Sequence, residues 1–207
     1  MNARHERYDV LLFDLGHVLL DFAGPQGLDA LTGGRHGVPE IARRWSGSPA
    51  LRRFETGQCD ALEFAREFAV EWEIALSPED LLAEFSTWAI GVYPGALELV
   101  SPLKNHYRLA VLSNINDAYW PRCRDEFGLG ALFERCYVSH EMGMMKPDPA
   151  IYTHVMEDLG VAPERIAFFD DSPPNVRAAC ELGLDAYRVM GVDALRVQLE
   201  ALQLIGE

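Results

Sequence analysis

Basic side chains are scarce in this chain: 18 lysines and arginines stand against 32 aspartates and glutamates, a formal net charge of −14. So acidic a protein is a poor partner for nucleic acid, whose phosphates need lysine and arginine to neutralise them, and for anionic lipid surfaces. An anionic ligand would need a cation brought to it locally. Cysteine is also sparse: Cys59, Cys123, Cys136 and Cys180 lie far apart, with no CxxC pair and no zinc-like cluster. They read as apolar fillers in a reducing compartment. No apolar run approaches the ~18 residues of a membrane-spanning helix. The opening stretch MNARHERYDV carries charge but no signal-type apolar region, so a cytoplasmic location is expected. No internal repeat and no low-complexity segment is visible. What remains is an ordinary globular composition, 49% hydrophobic and 24% charged over 207 residues. That length holds one sizeable domain, or one core with a small second unit.

The most informative stretch is Tyr8–Asp21. Its apolar run Val10-Leu11-Leu12-Phe13 stops at a carboxylate, Asp14, with Gly16 two residues on. A short apolar run bounded by turn signals reads as a strand buried on both faces, as in parallel sheets. Ligands of open α/β sheets sit beyond the carboxyl ends of the strands, where Asp14 falls. Gly16 lets the backbone bend and approach a ligand closely.

Downstream, residues 22–92 hold helical stretches and no obvious strand. Pro39–Ser46 and Pro49–Phe54 are short candidates, and Asp60–Ile74 spaces Leu62, Phe64, Ala65, Phe68, Ala69 and Trp72 as a helix does. Ser77-Pro78-Glu79-Asp80 opens another, with serine as N-cap and proline at the first position. Trp45, Phe54, Phe64, Phe68, Trp72, Phe85 and Trp88 give this segment a core of its own. From Tyr93 the pattern alternates. Helices are expected over Pro94–Asn105, Asp117–Phe127, Pro149–Leu159, from Ser172 as cap through Leu182, and Asp193–Leu204. Strands are expected at Leu109–Leu112, Arg135–Val138, Ile166–Phe169 and Ala186–Val189. The fold class is therefore α/β: a Rossmann-like parallel sheet with helices on both faces, made of residues 1–21 and 93–207, with 22–92 inserted after the first strand as a small all-helical cap.

Polar residues follow directly on three of these strands: Asp14, Ser113-Asn114 and Asp170-Asp171. Singly, each is as well explained as a helix N-cap; together at one edge they suggest a shared task. A fourth piece, Gly143-Met144-Met145-Lys146-Pro147-Asp148-Pro149, holds a lysine between stiffening prolines that impose an extended approach. Aimed at Asp14, Lys146 is the missing cation. Asp14 and Asp171 side by side need a counter-charge to stay ionised, and Mg2+ suits carboxylate oxygens shared with a substrate phosphate. The Ser113 hydroxyl with Asn114 beside it, the Lys146 ammonium and the backbone N–H groups of Leu15 and Gly16 then hold phosphoryl oxygens. Asp14 is left as a carboxylate nucleophile.

These four pieces, in this order and across essentially the whole chain, resemble the haloacid dehalogenase superfamily of phosphohydrolases. The matching residues are Phe13-Asp14-Leu15-Gly16-His17-Val18, Val111-Leu112-Ser113-Asn114, Lys146-Pro147-Asp148-Pro149 and Phe168-Phe169-Asp170-Asp171-Ser172-Pro173-Pro174-Asn175. The resemblance implies that Asp14 forms an aspartyl-phosphate, that Ser113 and Lys146 bind phosphate, and that Asp171 and the Gly16 carbonyl join Asp14 on magnesium, with Asp170 behind them. It leaves Asn175 between a place in the metal loop and a structural duty at the helix start. One departure matters: most phosphatases of the family carry a general acid–base aspartate where this chain has Gly16. Such help is worth ~10²–10⁴-fold, and an anomeric sugar phosphate, whose hemiacetal leaves readily, needs it least. His17 is a candidate substitute, or else packs the turn; His140, His154, Glu141 and Met142 have no chemical role assigned.

The leading expectation is a magnesium-dependent phosphatase of a small phosphorylated metabolite, a sugar phosphate favoured. The alternatives are a 2-haloacid dehalogenase-type hydrolase and a phosphate-ligand-binding protein with little turnover. Cap residues set the substrate. Arg43, Arg44, Arg52 and Arg53 either offer positive charge or face solvent, Phe54-Glu55-Thr56-Gly57-Gln58 breaks between helices and dips toward the site, and Trp88 and Tyr93 pack a hinge. Oligomeric state is not readable.

Overall fold

A computed structural model describes residues 7–206; the expectation about the amino-terminal stretch falls largely on residues outside these. Five parallel strands form the central sheet in the order β5-β4-β1-β6-β7: β1 Val10–Phe13, β4 Arg108–Ser113, β5 Arg135–Val138, β6 Ile166–Asp170 and β7 Asp185–Arg188. Side chains alternate across a strand, and here both sides are covered. Leu11, Phe13, Leu109, Val111, Ala167 and Phe169 pack into one cluster, whereas Val10, Leu12, Ala110, Leu112, Ile166 and Phe168 pack into the other. That two-sided burial is why these strands read as unbroken apolar runs rather than alternating ones. Helices α6 (Ala96–Val100), α7 (Trp120–Asp125), α8 (Leu129–Leu132) and α12 (Gly191–Ala201) cover the first face; α10 (Pro149–Leu159) and α11 (Pro173–Glu181) cover the second.

Between β1 and β4 lie α1 (Gly24–Leu31), α2 (Val38–Trp45), α3 (Pro49–Glu55), α4 (Ala61–Glu71) and α5 (Pro78–Ser86). Their starts follow capping chemistry: Ser48, Asp60 and Ser77 accept the backbone N–H groups of Leu51, Glu63 and Asp80. The expected aromatic cluster forms, with Phe54 stacked on Phe64 at 4.4 Å and Phe85 against Phe64 and Trp88. It does not stop at the insertion. Phe85 stacks on Tyr119 at 4.7 Å, joining the rings to the first face of the sheet.

The structure departs from the expected elements in several places. Leu20–Phe22 (β2) and Ala89–Val92 (β3) pair antiparallel at the base of the insertion, a ribbon too short and too far apart in sequence to give an apolar signal. The helix expected over Pro94–Asn105 is α6 followed by a 3-10 turn, Ser101–Asn105, tightened at Pro102. The one expected over Asp117–Phe127 begins only at Trp120. A four-residue helix, α9 (Ser139–Met142), follows β5. Ser172 takes the N-cap position of α11, yet its side chain makes no cap bond.

Candidate active site

β1 lies between β4 and β6, so Phe13 is level with Val111 on one side and Phe169 on the other. The chain crosses to the two sides of β1 in turn, which opens a crevice at the carboxyl edge. Asp14, Ser113 and Asp170 therefore leave the sheet together, and all three are buried. Oδ1 of Asp14 accepts the Leu15 N–H at 2.7 Å and the Lys146 ammonium at 3.0 Å. Leu15, expected on phosphate, thus spends its N–H on the nucleophile itself. Gly16 differs. Its bridge to Leu20 is made by the Leu15 carbonyl and the His17 N–H, which leaves both of its own backbone groups outside the pairing.

Lys146 is 2% exposed, and its three protons have protein acceptors: the Leu112 carbonyl at 2.8 Å, Asp170 at 2.7 Å and Asp14 at 3.0 Å. The extended approach expected from the prolines is instead a turn closed by the Asp148 N–H on the Met145 carbonyl, with the Lys146–Pro147 peptide cis. Asn114 holds that turn. Its amide donates to the Lys146 carbonyl at 2.9 Å and accepts the Lys146 N–H at 2.8 Å, so its side chain is committed to the lysine rather than turned to a phosphate. Burial alone would lower the Lys146 ammonium, but Asp14 and Asp170 raise it above its ordinary value.

Asp170 is saturated as well. Lys146 and Asn175 share Oδ2, while the Ser172 N–H and Asn175 share Oδ1. Its four lone-pair positions are taken, which suits a place behind the metal rather than on it. Asn175 serves this carboxylate, and its own carbonyl accepts the Tyr152 hydroxyl. Asp171 is partly buried, and its carbonyl accepts from Arg188 at the end of β7.

Asp14, Asp170 and Asp171 each offer an oxygen within 4.8 Å of the others. Three carboxylates against one ammonium leave negative charge uncompensated in a poorly solvated place. Burial, opposed by Lys146, pushes Asp14 up to about 7; burial and the Asp170 charge push Asp171 up to about 6. An all-oxygen donor set short of positive charge fits a hard divalent ion such as magnesium.

Other groups fall elsewhere. The His17 ring packs edge-on to Phe22 at 5.8 Å. His140 bonds the Ile115 carbonyl through Nδ1 at 2.9 Å, and His154 is exposed. In the insertion between β1 and β4, Arg43 pairs with Glu40, Arg53 with Glu63 and Glu67, Arg44 lies over Trp72, and Arg52 is exposed. Trp88 fills the gap beside Gly27, where a Cβ would sit 2.2 Å from its ring nitrogen. In the segment expected to dip toward the site, Glu55 lies near enough to Asp14 and Lys146 to feel both charges. Tyr93, expected to pack a hinge, has a hydroxyl pushed up by burial and by the Asp21 and Asp171 charges. Sequence reasoning assigned no role to Asn116 or Tyr119, whose polar side-chain atoms are buried without a hydrogen-bond partner among the described residues. A cavity of about 660 Å³ lined by Tyr8, Asp9, Arg108 and Glu134 opens at the opposite end of the strands, away from the nucleophile.

A family model described as haloacid dehalogenase-like hydrolase matches residues 8–183. The chain is 24% identical over 188 residues to D-ribitol-5-phosphate phosphatase of Bacteroides thetaiotaomicron, covering 86% of this chain and 90% of that protein. It is 29% identical over 184 residues to phosphoglycolate phosphatase 1 of Pseudomonas aeruginosa, covering 84% and 66%. Among solved structures, a Bacteroides thetaiotaomicron enzyme of the same family, in complex with magnesium and inorganic phosphate, matches with a TM-score of 0.73 at 28% identity, over 88% of this chain and 94% of that one.

Proposed function

The chain belongs to the haloacid dehalogenase-like hydrolases, and on that premise we propose that it is a magnesium-dependent phosphatase of a small phosphorylated metabolite, a sugar phosphate favoured, acting through an aspartyl-phosphate on Asp14. The observation that carries this reading is the cluster of three carboxylates within 4.8 Å around a single buried ammonium. The relatives named for ribitol phosphate and phosphoglycolate support the substrate class.

Asp14 has one oxygen tied to Leu15 and Lys146, which leaves the other to attack phosphorus. On this reading the Ser113 hydroxyl and the Gly16 N–H hold phosphoryl oxygens, and Lys146 keeps the nucleophile ionised and oriented. Magnesium would be held by Asp14, Asp171 and the Gly16 carbonyl, with Asp170 steadying the loop; when bound it supplies the charge that lets these carboxylates ionise together beside a phosphate. Residues 22–92 act as the cap domain over the core of 1–21 and 93–207, excluding water and selecting the ester.

Phosphate release over a panel of phosphate esters, with magnesium and with EDTA, tests the reading. Release that needs magnesium and vanishes in Asp14→Asn is expected; unchanged turnover in that variant would falsify it. A metal-free dehalogenase would instead release chloride from a 2-haloacid in EDTA, against the repulsion of Asp170 and Asp171 for an anionic substrate. A binding protein would hold the ester without turnover.

A further inference from the structure

Building on the phosphatase reading, we propose that Glu55 of the cap donates the proton to the leaving oxygen, across the space that Gly16 leaves open beside the nucleophile. At Gly16, where an acid–base side chain is lacking, an added Cβ would meet nothing within 4 Å. The site therefore has room, and the question is which other element reaches into it.

Glu55 is the last residue of α3, and α3 packs against α9, the short helix after β5. The contact is close because Gly57 makes it: φ is 66° there, and a Cβ would stand 2.4 Å from the His140 carbonyl oxygen. Only glycine tolerates both the backbone angle and the approach. The turn after Glu55 is thus seated directly on the catalytic edge of the sheet.

The surroundings of the Glu55 carboxyl single it out among the acids of the cap. Glu40, Glu63, Glu67, Glu71 and Glu73 all have side-chain partners within the cap. Among the described residues no hydrogen bond or ion pair engages the Glu55 carboxyl; the charged or titratable groups near it are Asp14 after β1, Lys146 of the Met145–Asp148 turn and Tyr119 at the start of α7. From α9, His140 turns its Nδ1 to the Ile115 carbonyl. Burial first, and then the Asp14 charge, push the Glu55 carboxyl up to about 8, so near neutrality it carries a proton to give. The Tyr119 hydroxyl beside it is buried and unpartnered. Unpaired buried polar groups are rare unless a ligand completes them. The half-buried Glu55 carboxyl and the unpartnered Tyr119 hydroxyl, both within reach of the charges at the sheet edge or of each other, describe the place of a leaving alcohol.

The protons balance. An Asp14 oxygen bonds phosphorus as the bond from phosphorus to the ester oxygen breaks, and the electron pair left on that oxygen takes the Glu55 proton. Water then attacks the phosphoryl group on Asp14 and gives a proton to the Glu55 carboxylate. The breaking bond returns its electrons to Asp14, so both side chains end as they began.

The test compares kcat/KM for p-nitrophenyl phosphate, whose phenolate leaves without a proton, with that for the best alkyl phosphate of the panel. In Glu55→Gln the alkyl ester is expected to lose ~10²–10⁴-fold while the aryl ester changes by less than about threefold. Glu55→Asp, which keeps a carboxyl, is expected to recover part of the loss. Equal losses on both esters, no loss on either, or a wild-type enzyme that cleaves only the aryl ester would overturn the proposal. A wild-type protein that releases phosphate from neither ester in magnesium would instead defeat the phosphatase reading itself.

Discussion

Phe54, Phe64, Phe68 and Phe85 in the cap are as thoroughly buried as Asp14, Lys146 and Asp170 at the sheet edge. In the cap, burial removes ring surface from water and each ring finds another ring at 4.4 to 6.4 Å. That region gains stability with nothing else present. At the edge, burial removes charges from water, and one ammonium is shared between two carboxylates with a third nearby. Desolvating charges costs more than one such pairing returns. The ring cluster of the cap needs nothing bound to be stable, whereas the edge, on the proposed reading, is completed by what it binds.

One pair of substitutions breaks this comparison most sharply. Lys146→Met leaves Asp14 and Asp170 buried without their cation, at an expected cost of about 3–5 kcal/mol. Phe64→Ala empties a ring site in the cap at a similar cost, about 3–5 kcal/mol. Denaturant unfolding at pH 8 should therefore rank the two alike, and acidification should separate them. Carboxyls that accept protons no longer need the lysine, so the Lys146→Met deficit shrinks by pH 5, while the Phe64→Ala deficit stays. If both deficits move together with pH, the charges at the edge are not what distinguishes it.

A smaller effect sharpens the same contrast in the unaltered protein. Asp14 and Asp171 rise from an ordinary 3.8 to about 7 and about 6 when folded, and Glu55 from 4.5 to about 8. Between roughly pH 4 and 8 the folded state then binds more protons than the unfolded one, so stability falls as pH rises. In EDTA, Tm at pH 5.5 is expected to lie several degrees above Tm at pH 8; for a chain of this size about 2–4 °C corresponds to 1 kcal/mol. On the proposed reading magnesium would bind only the folded, ionised cluster, so it should raise Tm at pH 8 and have little effect at pH 5.5. A Tm that ignores both pH and magnesium would mean that the carboxylates are already neutralised.

The difference between the regions also governs what could be read from the chain. Val10–Phe13, Leu109–Leu112 and Ile166–Phe169 announce themselves because burial on both faces leaves no polar alternation, and the polar residues after them mark the edge. The rings of the cap recur at helical spacing, so its helices were legible too. What could not be read depends on distant partners. β2 and β3 are short strands whose partners lie on either side of residues 24–86 in the sequence. Asn114 resembled a ligand-binding residue because its neighbour does, and only the fold shows its amide closed on Lys146. Glu55 did leave a trace, an acid at a helix stop followed by Thr56 and Gly57. The glycine explains itself only once His140 is seen against it.

His17 offers the smallest effect and the cleanest check on which region supplies the proton. It follows Gly16, carries an imidazole that can pass a proton, and on sequence grounds competes with any acid from the cap. Its backbone sits at φ 56°, its carbonyl accepts the Gly191 N–H at 2.7 Å, and its ring lies against Phe22. Each of these contacts shapes the turn after the nucleophile, and none joins the ring to Asp14. Asparagine tolerates the left-handed backbone better than most residues, so His17→Asn preserves the turn while removing the imidazole. The expected change in kcat/KM for an alkyl phosphate is within about threefold, well short of the ~10²–10⁴-fold that loss of a general acid brings. A loss of the larger size, seen with alkyl but not aryl esters, would move the proton donor from the cap to the turn beside Asp14. Glu55 would then be a half-buried acid with no part in the chemistry.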